Sequence, residues 1–347
     1  MDPQNQITEP CDLLDENGHL INPGYATSPL WQYDREKIKA GWHRIKEWDY
    51  YSVLDPEQGY GITLTLADLG YIGIAAICWL DFRKKTSRQV DTLTFLPRGR
   101  TGLPATSESG TSCFKSNRLS LNFDVSKGVR HLSFETNHFA DTNGNKGLRG
   151  EILLSQDPDL ESMAIATSWK NNKKAFYYNH KINCMPAAGQ VTMGGTRYEF
   201  NPATSFGAID WGRGNWTYKN RWYWGSASGM LDGESFGWNL GYGFSDRSRA
   251  SENMIFYKGK AHKLGEILFH MNTQDYMQSW KITSSDNRFE MDFAPMLDRQ
   301  SSFDFKLLKS VQHQVFGHFT GYVILDDGSV LNIKKFFGFA EDVLNWW

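Results

Sequence analysis

Residues Tyr60–Phe82 read Y-G-I-T-L-T-L-A-D-L-G-Y-I-G-I-A-A-I-C-W-L-D-F. From Tyr60 to Ala67 apolar side chains alternate with small or polar ones, the period-2 signature of a half-buried strand. Tyr71–Phe82 is a second and more apolar run. Outward from this pair, similar runs are expected at Arg118–Val125, Val129–Thr136, Leu148–Leu154 and Ala175–His180. Further along they recur at Ser235–Phe244, Asn253–Tyr257, His262–His270, Trp280–Thr283, Arg288–Phe293, Phe303–Lys309, Val315–Leu325 and Ser329–Phe336. Asp327-Gly328 and, more weakly, Lys258-Gly259 mark hairpin turns. About fourteen short strands with little helix point to an all-β protein built from barrels or sandwiches. Helix is expected at Asp34–Trp48, with Asp34 as cap and Ile38, Trp42 and Ile45 near one face, and at Glu341–Trp347.

The chain has 347 residues, 40% of them hydrophobic and 22% charged, which describes a globular protein of two domains or one large two-part unit. A boundary is expected near Asn201-Pro202, because proline cannot feed a central strand; it divides the chain into 1–204 and 205–347. The Pro97–Ser112 segment, rich in Gly, Ser and Thr, reads as a lid or a disordered insert. With 37 basic and 39 acidic residues the net charge is −2, so bulk electrostatics draws the chain neither to nucleic acid nor to an anionic membrane. No 18-residue apolar span and no signal-peptide core are present, so stable membrane insertion is not expected and a cytoplasmic location is. The four cysteines have neither zinc nor disulfide spacing, and no nucleotide or nucleophile-elbow motif occurs; no metal or cofactor is expected. Oligomeric state has no signature.

Asp210–Gly229 reads D-W-G-R-G-N-W-T-Y-K-N-R-W-Y-W-G-S-A-S-G and holds four of the 13 tryptophans. Aromatic faces mixed with charges and glycines suit a ligand cavity lined by Trp211, Arg213, Trp216, Tyr218, Trp222 and Trp224. The alternative is an aromatic corner that plugs a barrel end. Asp210 among indoles would be a general acid near neutral pH, since an apolar site disfavours its charged form. Paired with Arg213 it would instead be a base, an orienting group, or one half of a turn-closing ion pair. His180 and Glu199, at strand ends near the expected boundary, are further candidates. Glu135 could face a cavity or, more simply, solvent; His131 and His138 fall on opposite strand faces. Glu341 reads first as a helix cap and second as a residue reaching the junction.

Four stretches together resemble the domain-of-unknown-function 2804 family, nearly end to end: Asp12–Gly24 (D-L-L-D-E-N-G-H-L-I-N-P-G), Lys46–Tyr51 (K-E-W-D-Y-Y), the Asp210–Gly229 block and Asn253–Leu264 (N-M-I-F-Y-K-G-K-A-H-K-L). That family is similar, more distantly, to double-lipocalin proteins that include AttH-like proteins and carotenoid 1,2-hydratases, and to cofactor-free cyclases of isoprenoid or polyene substrates. The resemblance implies two antiparallel lipocalin-like (calycin-like) barrels packed together. It carries the hydratase aspartate onto Asp210, but the histidine and acidic residue that follow it there are replaced by Trp211 and Gly212. It also sets Trp238 and Asn239, in W-N-L-G-Y, against a cavity. The expected function is a cofactor-independent hydratase, lyase, isomerase or cyclase for a hydrophobic small molecule, with Asp210 moving the proton. The alternatives are a lipid or isoprenoid carrier, and a carbohydrate-active enzyme using Asp210 with Glu199.

Overall fold

The computed structural model describes residues 4–140, 144–304, 306 and 308–346. It is all-β: two antiparallel sheets hold nearly every long strand. In the first sheet the main path runs Thr86–Phe95, Ile72–Asp81, Tyr60–Asp68, Ile45–Asp55, Phe206–Asn215, Asn172–Met193, Lys146–Ser155, Val129–Ala140, Leu119–Ser126, Gly110–Lys115. The sheet curls until its ends meet: Arg88, near one end, donates to the carbonyl of Ala140 and lies over the Phe139 ring. One core fills the curl, with Ile62, Leu64 and Ile77 from one side and Phe123, Leu132 and Ile152 from the other. Tyr60–Phe82 is a hairpin, Tyr60 paired with Asp81 and Asp68 with Gly73.

The second sheet runs Lys260–Lys263, Met254–Tyr257, Glu234–Tyr242, Lys219–Leu231, Val330–Trp346, Lys309–Ile324, Phe289–Asp304, Trp280–Ser284, Ile267–His270. It also closes on itself, the Phe269 N–H donating to the Tyr242 hydroxyl at 3.0 Å. Its core holds Trp238, Phe289, Phe293 and Phe319. The two barrels meet outer face to outer face, through Leu80, Phe82, Phe316 and Phe339 in one patch and Met163, Tyr177, Trp216 and Met254 in another.

Several expectations change. Asp34 does cap, accepting from the Glu36 N–H at 2.8 Å, but only a three-residue turn follows at Arg35–Lys37, then another at Trp42–Arg44. Extended backbone at Gly41 separates the two turns, and from Ile45 the aromatic and β-branched run W-D-Y-Y-S-V takes over as a strand. Glu341–Trp346 is likewise strand, paired on both sides with Trp224 and Gln314 at Glu341; position 347 lies outside the described residues. Phe303–Lys309 is not one strand, since Asp304 pairs with Lys309; positions 305 and 307 lie outside the described residues. Phe206–Asn215 pairs with strands of the first sheet on both edges, so the change of sheet falls between Asn215 and Lys219, beyond Pro202.

The Pro97–Ser112 segment is neither an open lid nor a loose insert. It folds into one end of the first barrel, where Arg213 donates to the Pro104 carbonyl at 2.8 Å and Arg130 to that of Ser107 at 2.9 Å. Ser112 Oγ donates to Asp49 Oδ2 at 2.6 Å. These bonds give the buried Arg130, Arg213 and Asp49 the partners that burial requires.

Candidate functional site

Strand alternation decides what Phe206–Asn215 offers to each side. Trp211 and Arg213 point into the first barrel; Asp210 and Gly212 point outward, toward the second. Opposite them, the outer face of the second sheet presents three aligned rows: Trp224–Glu341–Gln314, Trp222–Val343–Gln312 and Asn220–Asn345–Ser310. Between the sheets lies a cavity of about 230 Å³. Its walls are mainly apolar, with Trp48, Trp216, Trp222, Trp224, Tyr177, Phe244, Leu69 and Ile74. The carboxyl and amino side chains that line it are Asp210, Glu252, Glu341 and Lys181.

Lys181 is the hub of these charges. It stands opposite Asp210 in the antiparallel register and reaches its Oδ2 at 2.8 Å, with Glu252 Oε2 at 3.6 Å. Its ammonium also sits 4.2 Å from the Trp224 ring centroid, a favourable cation–π placement. Asp210 Oδ1 accepts from Asn179 Nδ2 at 2.6 Å and from the Trp48 indole at 3.0 Å. That indole reaches the carboxylate only because position 212 is glycine: a Cβ there would lie 2.1 Å from Trp48 Cζ2. Gly241 makes room in the same way, since its Cβ would meet Glu252 Cδ at 2.3 Å.

Glu341 closes the far side. Its Oε1 accepts from the Trp222 indole at 3.0 Å and its Oε2 from Gln314 at 3.3 Å. Burial pushes the carboxyl up to about 7; the Trp222 N–H and Lys181 oppose the rise and Asp210 adds to it. Burial also raises Glu252 above the ordinary glutamate value, with Lys181 pulling it down and Asp210 pushing it up. The physical reason is a count: three carboxyls share one ammonium at one end of an apolar cavity, so not all can ionise cheaply. Tyr50 extends the network, exchanging hydrogen bonds with Gln314, which also accepts from Arg299 at 2.8 Å.

Of the residues singled out from sequence, Asp210, Trp216, Trp222 and Trp224 line this cavity. Asn239 stands just behind, accepting from Trp224 Nε1 at 2.7 Å and donating to the Glu252 carbonyl at 2.8 Å. Arg213 does not pair with Asp210; it holds Asp49 at 3.0 Å inside the first barrel, beside Trp211. Trp238 belongs to the second barrel's core, and Tyr218 packs near Arg44 outside the lining. His180 is buried on the face opposite Lys181, bridged by Ser107 Oγ at 2.7 Å and Ser162 Oγ at 2.6 Å. Burial, with Arg130, holds its imidazole down at about 3. Glu199 is exposed and pairs with Arg197 at 2.9 Å. Glu135 faces solvent. Glu341 reaches the junction rather than capping a helix. Lys181, Glu252 and Trp48 were not singled out; Lys181 follows His180 directly, and strand parity alone separates their faces.

The fold is similar to that of two solved proteins. Against CghA with Sch210972 the TM-score is 0.52 at 11% identity, covering 96% of this chain and 97% of that one. Against kievitone hydratase from Nectria haematococca it is 0.50 at 11% identity, covering 87% and 88%. At such identities the likeness is one of fold, the pair of lipocalin-like barrels. No curated protein sequence matches the chain. The sequence profile of one family, described as a domain of unknown function, spans residues 4–347, and the chain belongs to that family, DUF2804.

Proposed function

We propose that this protein is an acid–base enzyme acting on a hydrophobic small molecule held between the two barrels, with Glu341 as the group that gives and takes the proton. The observation that carries the reading is the placement of Glu341, a buried carboxyl poised near neutrality in an aromatic-walled cavity, facing an Asp210–Lys181 pair. General acid–base catalysis works best when the group's pKa lies near the working pH. Protonated Glu341 delivers its proton to an alkene carbon or a leaving oxygen; the cation so formed lies against the aromatic walls, Trp222 among them. Asp210, whose oxygens accept from Lys181, Asn179 and Trp48, takes a proton from the adjacent carbon or from an adding water. Hydration, elimination, isomerisation and ring closure all share these two steps.

A carrier would need only the apolar walls; the three carboxyls and one ammonium at one end favour an enzyme. A glycosidase built on Asp210 with Glu199 lacks its second carboxylate, because Glu199 stands on the outer surface. The test starts with solvent extraction and mass spectrometry of the purified protein. The recovered compound is then incubated in D2O with wild type and with Glu341→Gln. Wild type should place deuterium on carbon, and Glu341→Gln should slow that by roughly 100-fold or more. Undiminished exchange in the variant, or no bound apolar compound at all, would overturn the proposal.

A further inference from the structure

At the end of the cavity away from Lys181, the lining turns polar without becoming charged: Ser310, Gln312 and Asn345. Asn345 is 4% exposed, and among the described residues its Oδ1 has no hydrogen-bond partner. Its cross-strand neighbour Asn220 turns its amide elsewhere. The Asn220 amide is closed on Thr217, donating to the carbonyl at 2.7 Å and accepting from the hydroxyl at 3.0 Å. A buried amide oxygen left unpaired is costly, so a side chain kept that way at a cavity wall calls for a donor from outside the chain.

The direction of that donor follows from the strand. Glu341, Val343 and Asn345 share one face, with the apolar Val343 between the two polar groups. Four residues of strand set Glu341 and Asn345 roughly 13 Å apart. Lys181 is the only cation among the described lining residues, and it is occupied by Asp210 and Glu252 at the other end. An anionic head group would therefore meet no cationic side chain in the lining beside Asn345. We infer that the cavity takes a neutral, elongated molecule with an apolar body and a hydroxyl at the end remote from Glu341, the hydroxyl donating to Asn345 Oδ1. This rests on the reading of the Glu341 end as the reacting end.

Three probes of one length separate the possibilities: farnesol, farnesyl methyl ether and farnesoic acid, titrated at pH 8 by quenching of tryptophan fluorescence. Wild type should bind the alcohol roughly fivefold tighter than the ether, the range a single hydrogen bond supplies, and the carboxylate least well. Asn345→Leu should bring alcohol and ether to equal affinity while still binding the ether, and Asn345→Ser should keep part of the preference. Equal binding of alcohol and ether by wild type, a preference that survives Asn345→Leu, or tightest binding of the acid would each overturn the hydroxyl assignment and leave the proton-transfer reading standing. Preference for the alcohol together with wild-type deuterium exchange in Glu341→Gln would do the reverse. No binding of any probe would sink both.

Discussion

Replacing Glu341 by glutamine should make the protein more stable as it makes it inactive, and the gain should depend on pH in a calculable way. The ordinary glutamate value is 4.5 and burial lifts Glu341 to about 7. The folded protein therefore holds this proton more tightly than the unfolded chain does. Below about pH 4.5 the carboxyl is protonated in both states and costs nothing. As pH rises the unfolded chain ionises first, and stability falls until the folded carboxyl ionises too, above about 7. At about 1.4 kcal/mol per pH unit, the full cost comes to about 3 kcal/mol. Glutamine never pays it. The carboxamide keeps the acceptor for the Trp222 indole but sets an amide against Gln314 Nε2, a local penalty that does not vary with pH. The difference between pH 8 and pH 5 therefore reports the ionisation of Glu341 together with its coupling to Asp210 and Lys181, while titrating groups remote from it, common to both proteins, cancel. Urea unfolding of wild type and Glu341→Gln, followed by tryptophan fluorescence, should show the variant gaining about 2–3 kcal/mol more at pH 8 than at pH 5. A gain equal at the two pH values would refute the argument that Glu341 sits in the cavity as a displaced acid.

Lys181→Met should cost about 3–5 kcal/mol near neutrality, because it strips Asp210 and Glu252 of their counter-charge while leaving both buried; adding Asp210→Asn should restore part of the loss, and a loss below about 1 kcal/mol would contradict the hub role given to the lysine. The His180 imidazole, held at about 3 between two serine hydroxyls, should stay neutral from pH 5 to 8 while exposed histidines titrate in the same NMR spectra. Its contribution to stability is then complete above about 6.5 and declines as the solution is acidified toward about 3. A His180 midpoint above pH 5 would show that the ring is not sealed in.

How far the sequence carries depends on which period a segment is read with. Tyr60–Phe82 alternates over enough residues that no other reading competes, and the barrels follow from many such runs. Asp34–Trp48 misleads because Ile38, Trp42 and Ile45 fit a helical face while Ile45 also opens a strand; length favours the helix, and pairing with Phe206–Asn215 and Tyr60–Asp68 decides for the strand. The same ambiguity hides Glu341, which stands at the head of a short segment where a cap would stand. Asp210 and Arg213 are three apart, neighbours on a helix but on opposite faces of a strand. Reading that stretch as strand separates them at once and assigns Trp211 to the core with Arg213. Lys181 could not be reached this way, because its meeting with Asp210 depends on the register between Asn172–Met193 and Phe206–Asn215, and Glu252 could not because it depends on how one barrel's outer face docks on the other.

The two ion pairs raised on opposite faces of Phe206–Asn215 show why one marks a site and the other does not. Inside the first barrel Asp49 is matched by one guanidinium and one hydroxyl, and the Pro97–Ser112 segment seals that end with carbonyls. There both carboxylate oxygens are engaged and the segment's carbonyls take up guanidinium donors. Across the strand, Asp210 and Lys181 open on a cavity lined by two further carboxyls without a cation of their own: Glu252 shares Lys181 at 3.6 Å, and Arg299 donates to Gln314, which donates to Glu341. An interior selected for stability alone would exchange that surplus acid for apolar side chains, since buried charge without a partner is among the costliest features a fold can keep. Its persistence beside seven aromatic rings and an unpaired Asn345 oxygen ties the acid surplus and the empty space to one cause: both are needed when a molecule enters and a proton moves.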